Sequence, residues 1–227
     1  MIGLGVMGRN LLLNMADHGF SVIGFDKDLS KATSLESFAS PGTVVKGVNT
    51  LSEMVKQLKR PRKLMMLVPA GPIVDYVIND LLPLLEEGDI IIDGGNSHYT
   101  DTLSRIKFLE DKKLHFVGMG VSGGEHGART GPSIMPGGDV KAWHELKPIL
   151  EAVSAKVNDE PCVAYMGKAA AGHYVKMVHN GIEYAIMQLI SEVYDVLKRG
   201  VGLNNDELHE LFKKWNESEM SSFLLEI

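Results

Sequence analysis

Short apolar runs alternate with amphipathic stretches along the first two thirds of the chain. The apolar runs are nearly continuous, which is typical of strands that are buried on both faces of a parallel sheet. We predict strands at residues 21–25, 63–68, 89–93 and 114–117, and a weaker one at 43–48. We predict helices at residues 6–18, 29–38, 52–58, 73–85 and 100–112. This alternation predicts an α/β fold with helices on both faces of the sheet.

The pattern changes beyond Gly131. Gly137 and Gly138 are interpreted as a turn, and Asp139 as the N-cap of a helix that ends near residue 153. Residues 163–166 are interpreted as a short strand. The regular alternation of strands and helices therefore ends in this region.

One long helical stretch follows at residues 171–199, and a further helix starts near Asn205. Strands are absent from this part of the pattern, and no linker precedes it. We therefore predict two domains: residues 1–168 form the sheet domain, and residues 169–227 begin an all-α domain that is incomplete.

Both ends of the chain look cut. Only Met1 and Ile2 precede a glycine-rich turn, although such a turn normally follows a complete strand. Residues 220–227 end inside a predicted helix without a glycine or proline stop. We expect the sequence to be a fragment of a longer one.

Composition narrows the classes of function. Hydrophobic residues make up 44% of the chain and charged residues 23%, so the sequence predicts a packed core rather than disorder. The formal net charge of -6 argues against nucleic acid as a partner, and no apolar run is long enough to span a membrane. The single cysteine, Cys162, cannot form an internal disulfide, and a cytoplasmic location is expected. The histidines show no metal-ligand spacing.

A glycine-rich turn opens the first predicted helix. Gly3, Gly5 and Gly8, with Val6 and Met7 between them, match the G-x-G-x-x-G pattern. These glycines let the backbone approach a pyrophosphate at the N-terminus of the helix. With a strand and an acidic residue following, the turn predicts a Rossmann-like, doubly wound sheet that binds a dinucleotide.

Asp26 ends that strand, at the distance where dinucleotide-binding folds place the acid that reads the cofactor ribose. Its carboxylate favours NAD, because it would repel a 2′-phosphate. Lys27 and Lys31 favour NADP if they reach the phosphate, although Asp28 lies beside them. In the alternative interpretation, both lysines are solvent-exposed loop residues that do not contact the cofactor. The choice between NAD and NADP stays open at this point.

A polar stripe runs along the long helix. Lys176, His179, Asn180 and Glu183 are spaced i, i+3, i+4 and i+7, so they share one helical face. Gly181 lies within the stripe and indicates close approach by another group. The stripe is either a solvated face or the lining of a site. In a site, a desolvated Lys176 can act as a general base and Glu183 as a proton donor, while His179 and Asn180 bind substrate.

Two loops that combine glycines with a polar side chain follow predicted strands. Residues 93–97 include Asn96, and Ser122, Gly123 and Gly124 follow another strand. Parallel sheets bind ligands beyond the carboxyl ends of their strands, so both loops are candidates to hold a polyhydroxy substrate. Ordinary tight turns are the alternative interpretation.

Taken together, these segments resemble the 6-phosphogluconate dehydrogenase family, within the β-hydroxyacid dehydrogenase superfamily. The resemblance is carried by Gly-Leu-Gly-Val-Met-Gly at 3–8, Ile-Ile-Asp-Gly-Gly-Asn-Ser at 91–97, Gly-Val-Ser-Gly-Gly-Glu at 120–125, Gly-Pro-Ser-Ile-Met-Pro-Gly-Gly at 131–138 and Gly-His-Tyr-Val-Lys-Met-Val-His-Asn-Gly-Ile-Glu-Tyr at 172–184. It implies a homodimeric enzyme that converts 6-phosphogluconate to ribulose 5-phosphate and carbon dioxide, with NADP reduced.

The resemblance also implies a role for each site residue. Lys176 takes the proton of the 3-hydroxyl as hydride leaves carbon 3, and then steadies the developing enolate. Glu183 helps to protonate carbon 1 of the enediol. The implied substrate-binding residues are Asn96, Ser122, Gly123, Gly124, His179, Asn180 and Tyr184. The implied cofactor-binding residues are Gly3, Gly5, Val6, Met7, Gly8, Asp26, Lys27, Asp28, Val68 and Asn96.

The sequence departs from the family pattern in three places. Asp26, Lys27 and Asp28 stand where NADP-using members usually carry Asn-Arg-Thr, so NAD is possible. Pro69 replaces a lysine often found near the cofactor. The chain covers about half of the usual length, so we expect it to be weakly active or inactive alone. The alternatives are a β-hydroxyacid dehydrogenase for a smaller, unphosphorylated acid, and a non-catalytic dinucleotide-binding module.

Overall fold

The computed structural model describes residues 1–226. It contains two compact units, Met1–Met177 and Val178–Ile227. Where a helix is predicted at residues 220–227, the structure has a short helix at Phe223–Glu226. Ile227 lies outside the described residues. The domain boundary near residue 168 stays a prediction.

The sheet of the first unit is predominantly parallel. Its strands are β1 (Val22–Gly24), β2 (Val45–Gly47), β3 (Lys63–Met66), β4 (Ile90–Asp93), β5 (His115–Ser122) and β6 (Ser133–Gly138). β1 pairs with β2, and β3, β4 and β5 are neighbours, all in parallel. The backbone of Ile2 bridges β3 to the end of β1, because it pairs in parallel with Phe25 and Met66. The order is therefore β2-β1-Ile2-β3-β4-β5-β6, and the glycine turn lies at its centre.

Helices cover both faces of this sheet. They are α1 (Val6–Asp17), α2 (Leu29–Ser34), α3 (Leu51–Gln57), α4 (Pro72–Leu81), α5 (Tyr99–Glu110), α6 (Gly124–Thr130) and α7 (Val140–Val153). Successive strand residues pack on opposite sides: Leu64 and Met66 join the core under α3, α4 and α5, whereas Met65 joins the core under α1, α6 and α7. Burial on both faces explains why the strands are continuously apolar.

The far edge of the sheet differs from the sequence prediction. Gly137 and Gly138, which were predicted to form a turn, are the last residues of β6, and β6 runs antiparallel to β5. A Cβ atom at Gly137 would overlap the backbone nitrogen of Gly172, so glycine here permits a close approach of backbones. Residues 163–166 run beside β6: Val163 forms an isolated bridge with Ile134, and the N–H of Met166 donates to the carbonyl oxygen of Pro136 at 2.8 Å. A small antiparallel pair, β7 (Lys156–Val157) and β8 (Glu160–Pro161), precedes this segment.

The remaining described chain is helical. The long helix α8 (Ala171–Asp195) continues into a π-helical turn at Val196–Val201. Helix α9 (Asn205–Asn216) begins with a capping box, in which Asn204 and Glu207 bond each other's backbone N–H groups. Helix α10 is the short segment at Phe223–Glu226. Within residues 1–226, no helix has the length and apolarity that crossing a bilayer requires.

The amino group of Met1 is buried in the first unit. It donates a hydrogen bond to the carbonyl oxygen of Ile23 at 2.7 Å. Burial lowers the pKa of this amino group from 8.0 to about 5. Beside it lies a largely apolar cavity of about 250 Å3, whose lining includes Val22, Met65 and Leu146.

We expect a polypeptide of residues 1–227, prepared with a free amino group at Met1, to lose folded-state stability as the pH falls from 8 to 5. Between pH 8 and pH 5 the amino group takes up a proton in the unfolded chain but not in the folded chain. The free energy of unfolding therefore falls by up to about 1.4 kcal/mol for each pH unit. Urea unfolding at several pH values measures the effect. An N-acetylated chain should lack this contribution, and an identical pH dependence in both forms would contradict the prediction.

Candidate active site

The glycine turn has the geometry that close approach to a phosphate requires. Gly3 has a φ of +89°, and a Cβ atom there would overlap the carbonyl oxygen of Leu67. A Cβ atom at Gly8 would overlap the carbonyl oxygen of Gly3. No side chain of the described residues caps helix α1, whose N-cap is Gly5. The first N–H groups of α1, at Val6 and Met7, can therefore hold a pyrophosphate.

Asp26 is tied into this turn. Its Oδ2 accepts a hydrogen bond from the backbone N–H of Leu4 at 2.7 Å, and its Oδ1 accepts one from the N–H of Asp28 at 2.9 Å. Lys31 Nζ lies 3.8 Å from Oδ1. The carboxylate thus connects the end of β1 to the glycine turn. Sequence reasoning placed Asp26 at the ribose but gave no indication of the Leu4 contact.

The segment after Asp26 keeps a second carboxylate charged. Asp28 caps α2 and accepts hydrogen bonds from the N–H and the hydroxyl of Ser30, and these bonds lower its pKa. Lys27, beside it, is exposed. A cofactor 2′-phosphate placed here would meet the anionic Asp26 and Asp28 as well as the two lysines.

The loop after β4 lies against the loop after β3. The peptide N–H of Gly94 donates to the carbonyl oxygen of Met66 at 2.9 Å. A Cβ atom at Gly95 would lie 3.0 Å from the carbonyl oxygen of Val68. The structure therefore brings Val68 and the loop that carries Asn96 together, and the side chain of Asn96 is exposed.

Lys176 is buried against β5. It is 7% exposed, and a Cβ atom at Gly120 would lie 2.5 Å from the Cβ atom of Lys176. Ser122 lies two residues beyond Gly120, on the same face of the strand because strand side chains alternate. Gly123 and Gly124 follow with positive φ angles and lead into α6. Lys176 and the Ser122 loop therefore belong to one region of the first unit.

The other stripe residues belong to the second unit. His179 Nδ1 lies 3.7 Å from a carboxylate oxygen of Glu183 and 3.2 Å from Oδ1 of Asn180. His179 and Glu183 lie one turn apart and meet as their i, i+4 spacing predicts. Tyr184 is exposed. Among residues 1–226, nothing lies within 4 Å of a Cβ atom built at Gly181, so the close approach expected there is not found.

Three buried polar residues on α5 and α8 were missed by the sequence reasoning. Arg105 and Thr102 lie one turn apart on α5, and His173 lies one turn before Lys176 on α8. Thr102 Oγ1 and His173 Nδ1 are hydrogen-bonded at 2.6 Å, and burial lowers the pKa of His173. Their helical spacing is visible in the sequence, but their burial depends on which helices meet. Within the described part of the chain, no group of three potential metal ligands is formed.

Comparisons with known proteins agree with this geometry. Residues 1–167 match the family model of the NAD binding domain of 6-phosphogluconate dehydrogenase, and residues 172–227 match that of its C-terminal domain. The chain is 55% identical over 228 residues to the decarboxylating 6-phosphogluconate dehydrogenase of Cunninghamella elegans and 54% identical to that of Aggregatibacter actinomycetemcomitans. Each alignment covers 100% of this chain and 47% of the relative, so the chain spans about half the length of these curated relatives.

Solved structures show the same relationship. A Plasmodium falciparum 6-phosphogluconate dehydrogenase, studied in apo form and with its cofactor NADP+ or its substrate 6-phosphogluconate, is 47% identical with a TM-score of 0.95. That match covers 99% of this chain and 48% of the other. A Mycobacterium tuberculosis 3-hydroxyisobutyrate dehydrogenase shares the fold, with a TM-score of 0.76 and 24% sequence identity. That match covers 98% of this chain and 71% of the other. The predicted resemblance and α/β fold class are confirmed, and the chain belongs to the 6-phosphogluconate dehydrogenase family.

Proposed function

We propose that the whole protein carrying this chain oxidises and decarboxylates 6-phosphogluconate to ribulose 5-phosphate and carbon dioxide. The observation that carries the proposal is the buried Lys176, held over β5 beside the Ser122 loop. A lysine withdrawn from water, next to a loop rich in backbone donors, is suited to take a proton from a bound hydroxyl.

The nicotinamide cofactor would supply the hydride acceptor, and the residues of this chain would handle the protons. Lys176 takes the proton of the substrate 3-hydroxyl while the hydride leaves carbon 3. The resulting 3-keto acid loses its carboxylate as carbon dioxide, and protonated Lys176 stabilises the negative charge that develops on the 3-oxygen. Glu183, two turns further along α8, donates the proton that carbon 1 of the enediol receives.

The remaining proposed site residues bind and orient. Backbone and side-chain donors of the two loops would hold the substrate hydroxyl and carboxylate groups, with further contacts from α8. These residues are Asn96, Ser122, Gly123, Gly124, His179, Asn180 and Tyr184. Val68 and Asn96 would also contact the cofactor. By the family resemblance, we propose that the whole protein is a homodimer and that residues 1–227 alone are weakly active or inactive.

A turnover assay tests the proposal. Residues 1–227 would be joined to the C-terminal remainder of the Cunninghamella elegans relative, and cofactor reduction and carbon dioxide release would be followed with 6-phosphogluconate. We expect both products in equal amounts. Oxidation of 3-hydroxyisobutyrate without carbon dioxide would favour a dehydrogenase for smaller acids. Dinucleotide binding without turnover of any substrate, in a folded chimaera, would favour a non-catalytic binding module.

Cofactor preference gives a separate prediction. We expect the double substitution Lys27→Arg with Asp28→Thr to raise the affinity for NADP about tenfold relative to that for NAD, because it removes a carboxylate near the 2′-phosphate and adds a guanidinium. Threonine still caps α2, and the bond from Leu4 to Asp26 is untouched. Calorimetric titration of the 227-residue chain with each cofactor measures the ratio. An unchanged ratio would mean that these residues do not contact the 2′ position.

A further inference from the structure

A buried arginine on α5 connects the loops at the carboxyl ends of β3 and β4. Arg105 is 5% exposed. Its guanidinium donates to both carboxylate oxygens of Asp75 on α4, at 2.7 and 3.0 Å, and to the carbonyl oxygen of Gly71 at 3.0 Å. It also donates to the hydroxyl of Ser97, in the loop after β4, at 3.1 Å. One side chain therefore fixes the distance between the two loops.

Asp93 completes this network from the end of β4. The carboxylate is fully buried, and Arg105 Nη1 lies 3.6 Å from its Oδ2. Oδ2 accepts a hydrogen bond from the Ser97 hydroxyl at 2.6 Å, and Oδ1 accepts one from the N–H of Gly95 at 3.0 Å. The residues on either side of Asn96 are thus held, while the Asn96 side chain itself is exposed.

Charge pairing keeps Arg105 ionised in this buried position. Burial works against the charge, but the hydrogen bonds to Asp75 and the negative charges of Asp75 and Asp93 raise the pKa of Arg105. The same hydrogen bond from Arg105 lowers the pKa of Asp75. A buried ion pair adds little net stability compared with apolar packing, whereas it restricts geometry strongly.

The strand order places this network on the nicotinamide side of the proposed cofactor site. The pyrophosphate lies at the glycine turn after Ile2, and the adenosine ribose lies toward Asp26 at the end of β1. β3 and β4 are on the opposite side of Ile2. A dinucleotide that crosses the turn therefore extends its nicotinamide half toward Val68 and Asn96.

We propose that Arg105 is a positioning residue that acts through Asn96 and the Val68 loop on the nicotinamide half of the bound cofactor. The inference rests on the proposed function, because it assumes that the chain binds a nicotinamide dinucleotide. Arg105 touches neither cofactor nor substrate; it sets where the residues that do so can lie. Its loss should weaken the contribution of the nicotinamide ring to binding and leave binding of the ADP-ribose part intact.

The test compares two ligands that differ only in the nicotinamide ring. The 227-residue chain is titrated with NAD and with ADP-ribose, and the ratio of the two dissociation constants is the measured quantity; NADP and its 2′-phosphorylated ADP-ribose counterpart replace them if the chain prefers NADP. Arg105→Met should shift this ratio about tenfold against the dinucleotide. Arg105→Lys should share the defect, because an ammonium group cannot bridge Asp75 and Ser97 as the planar fork does.

Arg62 provides a matched control at the opposite end of the strands. It precedes β3 and donates to the buried Asp89 at 2.8 Å, so Arg62→Met also breaks a buried arginine–aspartate pair. It should lower stability without changing the ratio. Ser97→Ala removes only the hydroxyl between Arg105 and Asp93; it should shift the ratio in the same direction as Arg105→Met and keeps the measurement possible if that variant does not fold.

The outcomes separate this inference from the proposed function. A wild-type chain that binds neither ligand would overturn the dinucleotide-binding part of the proposed function, and this inference with it. Two outcomes would overturn the positioning role alone, in a wild-type chain that binds NAD. In the first, Arg105→Met and Ser97→Ala leave the ratio of the two dissociation constants unchanged. In the second, Arg62→Met shifts this ratio as much as they do.

Discussion

Substitution of Gly172 by alanine is expected to destabilise the first unit by about 4 kcal/mol. A Cβ atom at this position would overlap the carbonyl oxygens of Gly118 and Met135 and lie 2.7 Å from the backbone nitrogen of Gly137. All three are backbone atoms of the sheet, so no side-chain rotation relieves the overlap. The start of α8 would have to move away from β5 and β6. Urea unfolding followed by circular dichroism measures the loss.

Gly181, on the same helix, is the matched control. A Cβ atom there meets nothing within 4 Å among the described residues. Gly181→Ala should therefore stabilise the helix by up to about 1 kcal/mol, since alanine restricts the unfolded chain more than glycine does. Equal effects of the two substitutions would show that the start of α8 is not held against the sheet as described.

The alternation of strands and helices could be predicted because each element carries its own period. The β4 strand, for example, is buried along its whole length, and its apolar run shows this in the sequence. β6 was missed because Pro136, Gly137 and Gly138 have low intrinsic strand propensity. Their pairing with β5 comes from tertiary contacts, including the close approach of α8, which a local pattern does not contain.

The candidate site was only partly visible in the sequence for a similar reason. The glycine turn and the spacing around Lys176 are local patterns, so both could be recognised. Arg105, by contrast, lies in a helix rich in polar residues, where an arginine is usually solvated. Its burial requires Asp75 and Asp93 to come from two other elements, which the linear spacing does not reveal.

We expect Lys176→Met and Lys176→Arg to lower the turnover of 6-phosphogluconate by the chimaera about 10²–10⁴-fold. Methionine fills a similar volume but cannot accept a proton, and arginine keeps the charge but does not give up its proton near neutral pH. The turnover number measures the loss. Dinucleotide affinity, measured with the 227-residue chain, should stay close to that of the wild type, because the glycine turn and the Asp26 segment are unchanged.

Lys168→Met is the control for Lys176. Lys168 is an exposed lysine of the same unit, so its substitution removes the same charge from the surface and should leave turnover unchanged. If Lys176→Met lowered dinucleotide affinity and thermal stability in proportion to turnover, the lysine would be a packing residue of α8. If Lys176→Arg kept wild-type turnover, the positive charge would be the required property and proton removal would belong to another group. Only a selective loss of turnover in both variants supports Lys176 as the base, because neither methionine nor arginine can accept the proton of the substrate hydroxyl near neutral pH.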